Sequence, residues 1–139
     1  MPYISFKPLI FLLPSWLLLS CSKMQEGIPA PPAITMATAG AALQNNMQRT
    51  GINLSFSSIS QVQTLQADGH SYSLIRYTDE SGNGKVVVIE TYYDSEGNEV
   101  QRIYRCESSF CDCMIEMTAN PDGTINLRCT CYPCTMFIS

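Results

Sequence analysis

Hydrophobic residues follow two different periods beyond residue 35. Apolar side chains first recur at helical spacing at four positions, which are Met36, Ala39, Leu43 and Met47. Thr35 is placed to cap the start of this segment, and Gly51 follows where a helix would end. The pattern predicts one amino-terminal helix.

From Ile52 onward the period falls to two, which is typical of strands. β-Branched and aromatic residues dominate four blocks, at 59–66, 70–78, 85–93 and 99–106. Short polar segments that contain glycine separate these blocks, and such connections favour antiparallel neighbours. We therefore expect an α+β fold, mainly β, with the helix packed on an antiparallel β-meander.

A last hairpin is predicted around the sequence Asn120-Pro121-Asp122-Gly123. Proline presets the first angle of a type I turn, and the glycine suits the left-handed position after it. This turn sets Glu116 opposite Arg128, and it also sets Cys113 opposite Cys131. Odd-numbered positions of the hairpin are apolar and should face the core.

Six cysteines lie in or beside this hairpin and are disulfide candidates: Cys106, Cys111, Cys113, Cys129, Cys131 and Cys134. Residues two apart on a strand have Cα atoms about 6.5 Å apart and parallel side chains, so bonds should cross between strands. Cys113 to Cys131 is the predicted pair. The partners of the other four cysteines stay open, because six cysteines allow many connectivities.

A metal centre is the competing interpretation of these cysteines. Extended Cys-x-Cys strands hold their sulfurs too far apart for one tetrahedral ion, so we expect no metal site and no cofactor. Cys131 and Cys134 have thioredoxin-like spacing, but no helix follows them. A metal-thiolate-binding protein that uses the carboxy-terminal cysteines remains the alternative function.

The first 20 residues have the pattern of a targeting segment. Lys7 precedes an apolar run at 9–19 that contains Pro14 and is too short to span a bilayer. Ser20 and Cys21 follow, and this order resembles the lipobox of bacterial lipoproteins. The resemblance implies attachment of a diacylglyceryl group to the thiol of Cys21 and cleavage just before this residue, with palmitate as one of the acyl chains.

This resemblance also implies the organisation of the chain. Residues 1–20 would be the signal peptide, 21–35 a lipidated, proline-rich tether, and 36–139 one small α+β domain. In such lipoproteins Ser22, at the position after the cysteine, implies the outer membrane. We expect a protein of the cell envelope that contacts the membrane through its lipid.

Composition restricts the function further. The chain has 12 acidic and 8 basic residues and a net charge of −4, which argues against a nucleic acid partner. Its single histidine, His70, lies beside a turn, and acids such as Glu90 and Asp94 are dispersed. We therefore predict no catalytic residues, and a noncatalytic binding or envelope-structural module with a protein or glycan partner.

Overall fold

The computed structural model describes residues 29–52 and 55–139, so the signal segment and Cys21 lie outside the described residues. One helix is followed by seven strands. They are α1 (Met36–Arg49), β1 (Phe56–Ala67), β2 (His70–Asp79), β3 (Gly84–Tyr93), β4 (Glu99–Glu107), β5 (Ile115–Ala119), β6 (Ile125–Cys129) and β7 (Thr135–Ile138). The predicted α+β, mainly β fold is confirmed.

The main sheet is a five-stranded antiparallel meander with the order β1-β2-β3-β4-β7. Two of its connections have the same geometry, because the turns that begin at Asp79 and Asp94 each close with an aspartate N–H bonded to an asparagine carbonyl at 2.9 Å. In both turns a glycine takes positive φ, at Gly82 and Gly97. The last strand, β7, was not among the predicted strand blocks.

The helix begins at the predicted cap. Thr35 has extended backbone angles, and its N–H donates to Thr38 Oγ1 at 3.0 Å. Gly51 follows the last turn with φ of 69°. The helix buries the predicted residues Ala39, Leu43 and Met47, whereas Met36 is exposed.

Strands β5 and β6 form a separate two-stranded ribbon with the predicted register. Ile115 pairs with Cys129 and Met117 with Leu127, so the turn at residues 120–123 sets the pairing as expected. The ribbon does not continue the meander, however. It packs Ile115 and Met117 on Leu74, Val86 and Val88 of the main sheet.

The sheet is therefore the middle of three layers. On one face α1 packs against a cluster that includes Ile75, Val87 and Ile103, and on the other face lies the ribbon. Strand β3 is consequently buried on both faces from residue 86 to residue 91. None of the helices within residues 29–52 and 55–139 is both long and apolar enough to cross a bilayer.

Candidate functional site

Three disulfides hold the ribbon to the rest of the domain. They join Cys106 to Cys129, Cys111 to Cys131, and Cys113 to Cys134. The first connects β4 of the main sheet to β6 of the ribbon. All three cross between segments, as the distance within a Cys-x-Cys pair requires.

The predicted pair of Cys113 with Cys131 is wrong. Their sulfurs lie 3.3 Å apart, but each is bonded to another cysteine. The ladder between β5 and β6 ends at Ile115 and Cys129, so Cys113 and Cys131 lie beyond the paired strands. The chain then bends through residues 130–133 toward β7, and this bend brings Cys134 to Cys113.

The expectation that these cysteines are too far apart for one metal ion is also wrong. The sulfurs of Cys111, Cys113, Cys131 and Cys134 all lie within 4.8 Å of one another, and all four residues are half-buried. Extended strands would separate them, but all four cysteines lie outside the strands, in bends and irregular segments. We call these four residues the sulfur cluster.

A cavity of about 340 Å³ lies beside the sulfur cluster, on the helix face of the sheet. Its apolar lining is shared with the core and consists mainly of Met47, Ile52, Tyr77, Val87 and Ile103. Three cysteines, Cys106, Cys111 and Cys113, contribute to its wall. Its volume is within the range of small-molecule sites.

The polar part of the cavity wall contains charges of both signs. Lys85 and Arg105 line it together with acids that include Asp79 and Glu107. Arg105 Nη1 lies 3.1 Å from Glu107 Oε1, and the guanidinium stacks over Phe137. Among the described residues nothing accepts a hydrogen bond from the buried Nε of Arg105.

Tyr77 combines a buried ring with a position in the cavity wall. Burial, followed by the charge of Asp79, raises the pKa of its phenol to about 12. The hydroxyl is therefore neutral at physiological pH and can donate as well as accept a hydrogen bond. The cavity thus offers donors on an apolar floor.

A second polar group lies on the ribbon face of the sheet, around the buried carboxylate of Glu90. Glu90 is 4% exposed and accepts hydrogen bonds from Tyr104 Oη at 2.5 Å, His70 Nδ1 at 2.7 Å and Tyr72 Oη at 3.0 Å. The His70 ring stacks on Tyr92 with centroids 4.7 Å apart. We call Glu90 and its three donors the Glu90 network.

Electrostatics within the Glu90 network favour the charged carboxylate. Burial pushes the pKa of Glu90 upward, but the hydrogen bonds from Tyr104, His70 and Tyr72 outweigh it and hold the pKa below its usual value. Burial and the bond to Glu90 raise the pKa of Tyr104 to about 12. The network therefore holds one anion among neutral phenols.

The sequence interpretation of His70 and Glu90 as isolated residues is corrected by this geometry. Strands β2 and β3 pair Tyr72 with Glu90, and this pairing brings together residues that are 20 positions apart. The sequence contains one indication of this burial, because Glu90 lies on the same face of its strand as the apolar residues Val86 and Val88. A carboxylate on this buried face needs hydrogen-bond donors from neighbouring strands.

Comparisons with known proteins return no match among family models, curated proteins or solved structures.

Proposed function

We propose that this protein is an exported lipoprotein of the cell envelope, anchored in the outer membrane through Cys21, whose domain is a noncatalytic ligand-binding module. The lipobox resemblance supports the anchor. The three disulfides support export, because such bonds persist in oxidising compartments. Six of the seven cysteines bond to one another, which leaves Cys21 for the lipid.

The cavity carries the binding part of this proposal. It combines an apolar floor with a polar wall that carries both basic and acidic side chains, and an apolar surface with converging polar groups is typical of small-molecule sites. Its floor is built from residues of the sheet and of α1, and a disulfide-bonded segment forms one wall. Such a site is held open by the scaffold and needs little rearrangement on binding.

The lining residues define the class of ligand. Met47, Val87 and Ile103 suit an apolar body, whereas Arg105 and Tyr77 supply N–H and O–H donors. The acids of the wall disfavour a strongly anionic ligand. We therefore infer a small, mainly apolar molecule with a hydrogen-bond acceptor, in addition to the protein or glycan partner predicted from the class of the protein.

Nile red, a neutral apolar dye with a carbonyl oxygen, tests the cavity. Titration of the full chain should give saturable, blue-shifted fluorescence with one dye per chain. Arg105→Met keeps an unbranched apolar stem but removes the guanidinium donors, and we expect about tenfold weaker binding, as for loss of one charged hydrogen bond. Arg128→Met, on the exposed ribbon, is the matched control and should bind normally.

Two results would contradict the binding proposal. One is the absence of saturable dye binding to the folded chain. The other is equal weakening by Arg105→Met and Arg128→Met, which would place the dye elsewhere.

The anchor is tested separately in a bacterial host. Cells fed an alkyne analogue of palmitate should label the wild-type chain, and the label should fractionate with the outer membrane. Cys21→Ala should remove the label, whereas Ser22→Ala should keep it. Labelling that survives Cys21→Ala would refute acylation at this residue.

A further inference from the structure

The sulfur cluster contains more sulfur contacts than its two bridges require. Besides the bonded pairs, Cys131 Sγ lies 2.8 Å from Cys134 Sγ and 3.3 Å from Cys113 Sγ. Each of these residues is half-buried, so solvent and small reagents reach the group. The Cys106–Cys129 bridge does not belong to it.

The backbone keeps the two halves of the cluster together without help from the sulfurs. Thr130 N–H donates to the Met114 carbonyl at 2.9 Å, and Met114 N–H donates to Thr130 Oγ1 at 3.2 Å. These bonds join the segment that carries Cys111 and Cys113 to the segment that carries Cys131 and Cys134. Opening the bridges therefore leaves four thiols side by side.

Pairing of strands limits movement on both sides of the cluster. The ladder of β5 and β6 ends at Ile115 and Cys129, and that of β4 and β7 ends at Glu107 and Thr135. Between these limits the chain forms bends that can adjust. Sulfur positions can thus shift without loss of the sheet.

We propose that Cys111, Cys113, Cys131 and Cys134 form a redox-dependent metal site that binds one Zn²⁺ ion as a tetrathiolate when both bridges are reduced. Zn–S bonds of about 2.3 Å in a tetrahedron place sulfurs about 3.8 Å apart. The four sulfurs already lie within 4.8 Å of one another, about 1 Å above this value. Conversion therefore requires sulfur movements of about 1 Å.

The donor set selects the class of metal. Four thiolates exclude Ca²⁺ and Mg²⁺, which require oxygen ligands, and favour soft or borderline ions such as Zn²⁺. Cys131 and Cys134 have the two-residue spacing common in structural zinc sites, and Cys111 and Cys113 complete the tetrahedron.

The two states differ by four electrons. Two molecules of a dithiol reductant each transfer two electrons and two protons to one bridge and become disulfides themselves, which yields four cysteine thiols. Zn²⁺ then displaces four protons and binds four thiolates. In the reverse direction two molecules of a disulfide oxidant each take two electrons and two protons and become dithiols, the two bridges form again, and Zn²⁺ leaves.

This site shares Cys111 and Cys113 with the wall of the proposed ligand cavity, but its ligands are sulfurs and it forms only in the reduced chain. Metal binding and dye binding are measured by different signals, so failure of one proposal does not decide the other.

The test uses the full chain, reduced with a phosphine and freed of reductant without air. Co²⁺ is the spectroscopic probe, because tetrahedral cobalt thiolates give charge-transfer bands and intense visible bands. We expect one Co²⁺ per reduced chain, displacement by one Zn²⁺ in native mass spectrometry, and no uptake by the oxidised chain. A chain that is isolated with these four cysteines already holding one Zn²⁺ would also support the site.

Two double variants separate the sulfur cluster from the remaining bridge. Cys106→Ser with Cys129→Ser keeps all four ligands and should bind Co²⁺ with the same spectrum. Cys113→Ser with Cys134→Ser removes two ligands and should bind at least about a hundredfold more weakly. Circular dichroism of each metal-loaded variant checks that the sheet is present.

Three outcomes would overturn the proposal. The first is a reduced chain that takes up no cobalt, whether it remains folded or not. The second is a cobalt spectrum without the bands of tetrahedral sulfur ligation. The third is loss of binding in Cys106→Ser with Cys129→Ser while Cys113→Ser with Cys134→Ser binds normally.

Discussion

Removal of the Glu90 carboxylate should strongly destabilise the domain. Glu90→Ala would leave the hydroxyls of Tyr72 and Tyr104 without their acceptor on a packed face of the sheet. Each buried donor left without an acceptor costs about 1–3 kcal/mol of unfolding free energy, so the two hydroxyls together predict a loss of about 2–6 kcal/mol. Glu90→Gln keeps the shape and one acceptor oxygen, so we expect a smaller loss of about 1–3 kcal/mol.

The lowered pKa of Glu90 also predicts how its contribution to stability changes with pH. The folded-state pKa of Glu90 lies below its ordinary value of 4.5. Its charge therefore stabilises the fold fully above the unfolded-state pKa, and this contribution is lost as the pH falls through the lowered folded-state pKa. Glu90→Gln lacks this titration, so its difference from wild type should shrink in acid.

Urea unfolding followed by circular dichroism, at a series of pH values from 7 to about 3, measures both effects. Other acids, including Asp79 and Asp94, also have lowered pKa values, so the informative quantity is wild type minus variant at each pH. Glu80→Gln, in an exposed turn, is the control and should change little. A loss below about 1 kcal/mol for Glu90→Ala, or a pH-independent difference for Glu90→Gln, would refute the reasoning.

Four further variants have defined expectations, each measured by the same urea unfolding of the oxidised chain. Leu43→Ala should cost about 3 kcal/mol because the side chain is fully buried against the sheet; a loss under about 1 kcal/mol would contradict that packing. Gly97→Ala should cost about 1 kcal/mol because its φ of 82° is unfavourable for alanine. Gly40→Ala lies within the helix, where there is room for a methyl group, and should be neutral or stabilising. A Gly40→Ala variant less stable than Gly97→Ala would contradict these backbone angles. Replacing Cys106 and Cys129 together by Ala should cost about 3–4 kcal/mol because the bridge closes a separation of 23 residues; an unchanged unfolding midpoint would show that this bridge does not stabilise the fold.

Local patterns in the sequence predicted the helix and the ribbon register. The spacing of apolar residues located α1, because the helical repeat is recognisable within a few turns of sequence. The turn at residues 120–123 determined that Glu116 faces Arg128, where Arg128 Nη2 now lies 2.6 Å from Glu116 Oε2. Both features depend on neighbours in the chain, which a sequence displays directly.

Long-range features were not accessible in this way. The Glu90 network depends on the pairing of β2, β3 and β4, and no local pattern assigns donors to Glu90. The cavity likewise forms where the end of α1 meets residues of the sheet and the segment after β4. Neither feature follows from the period of one element.

One change of direction explains why the disulfide partners and the cysteine distances were predicted incorrectly. The ribbon leaves the plane of the meander to cover Leu74, Val86 and Val88, which would otherwise expose an apolar face. Having crossed that face, the chain must return to the free edge of β4, where β7 pairs. The return requires bends after Cys129, and they bring the sulfurs of Cys131 and Cys134 to those of Cys111 and Cys113 on the segment before the ribbon. Covering the sheet therefore also assembles the sulfur cluster, and any change that prevents the ribbon from docking should disperse it.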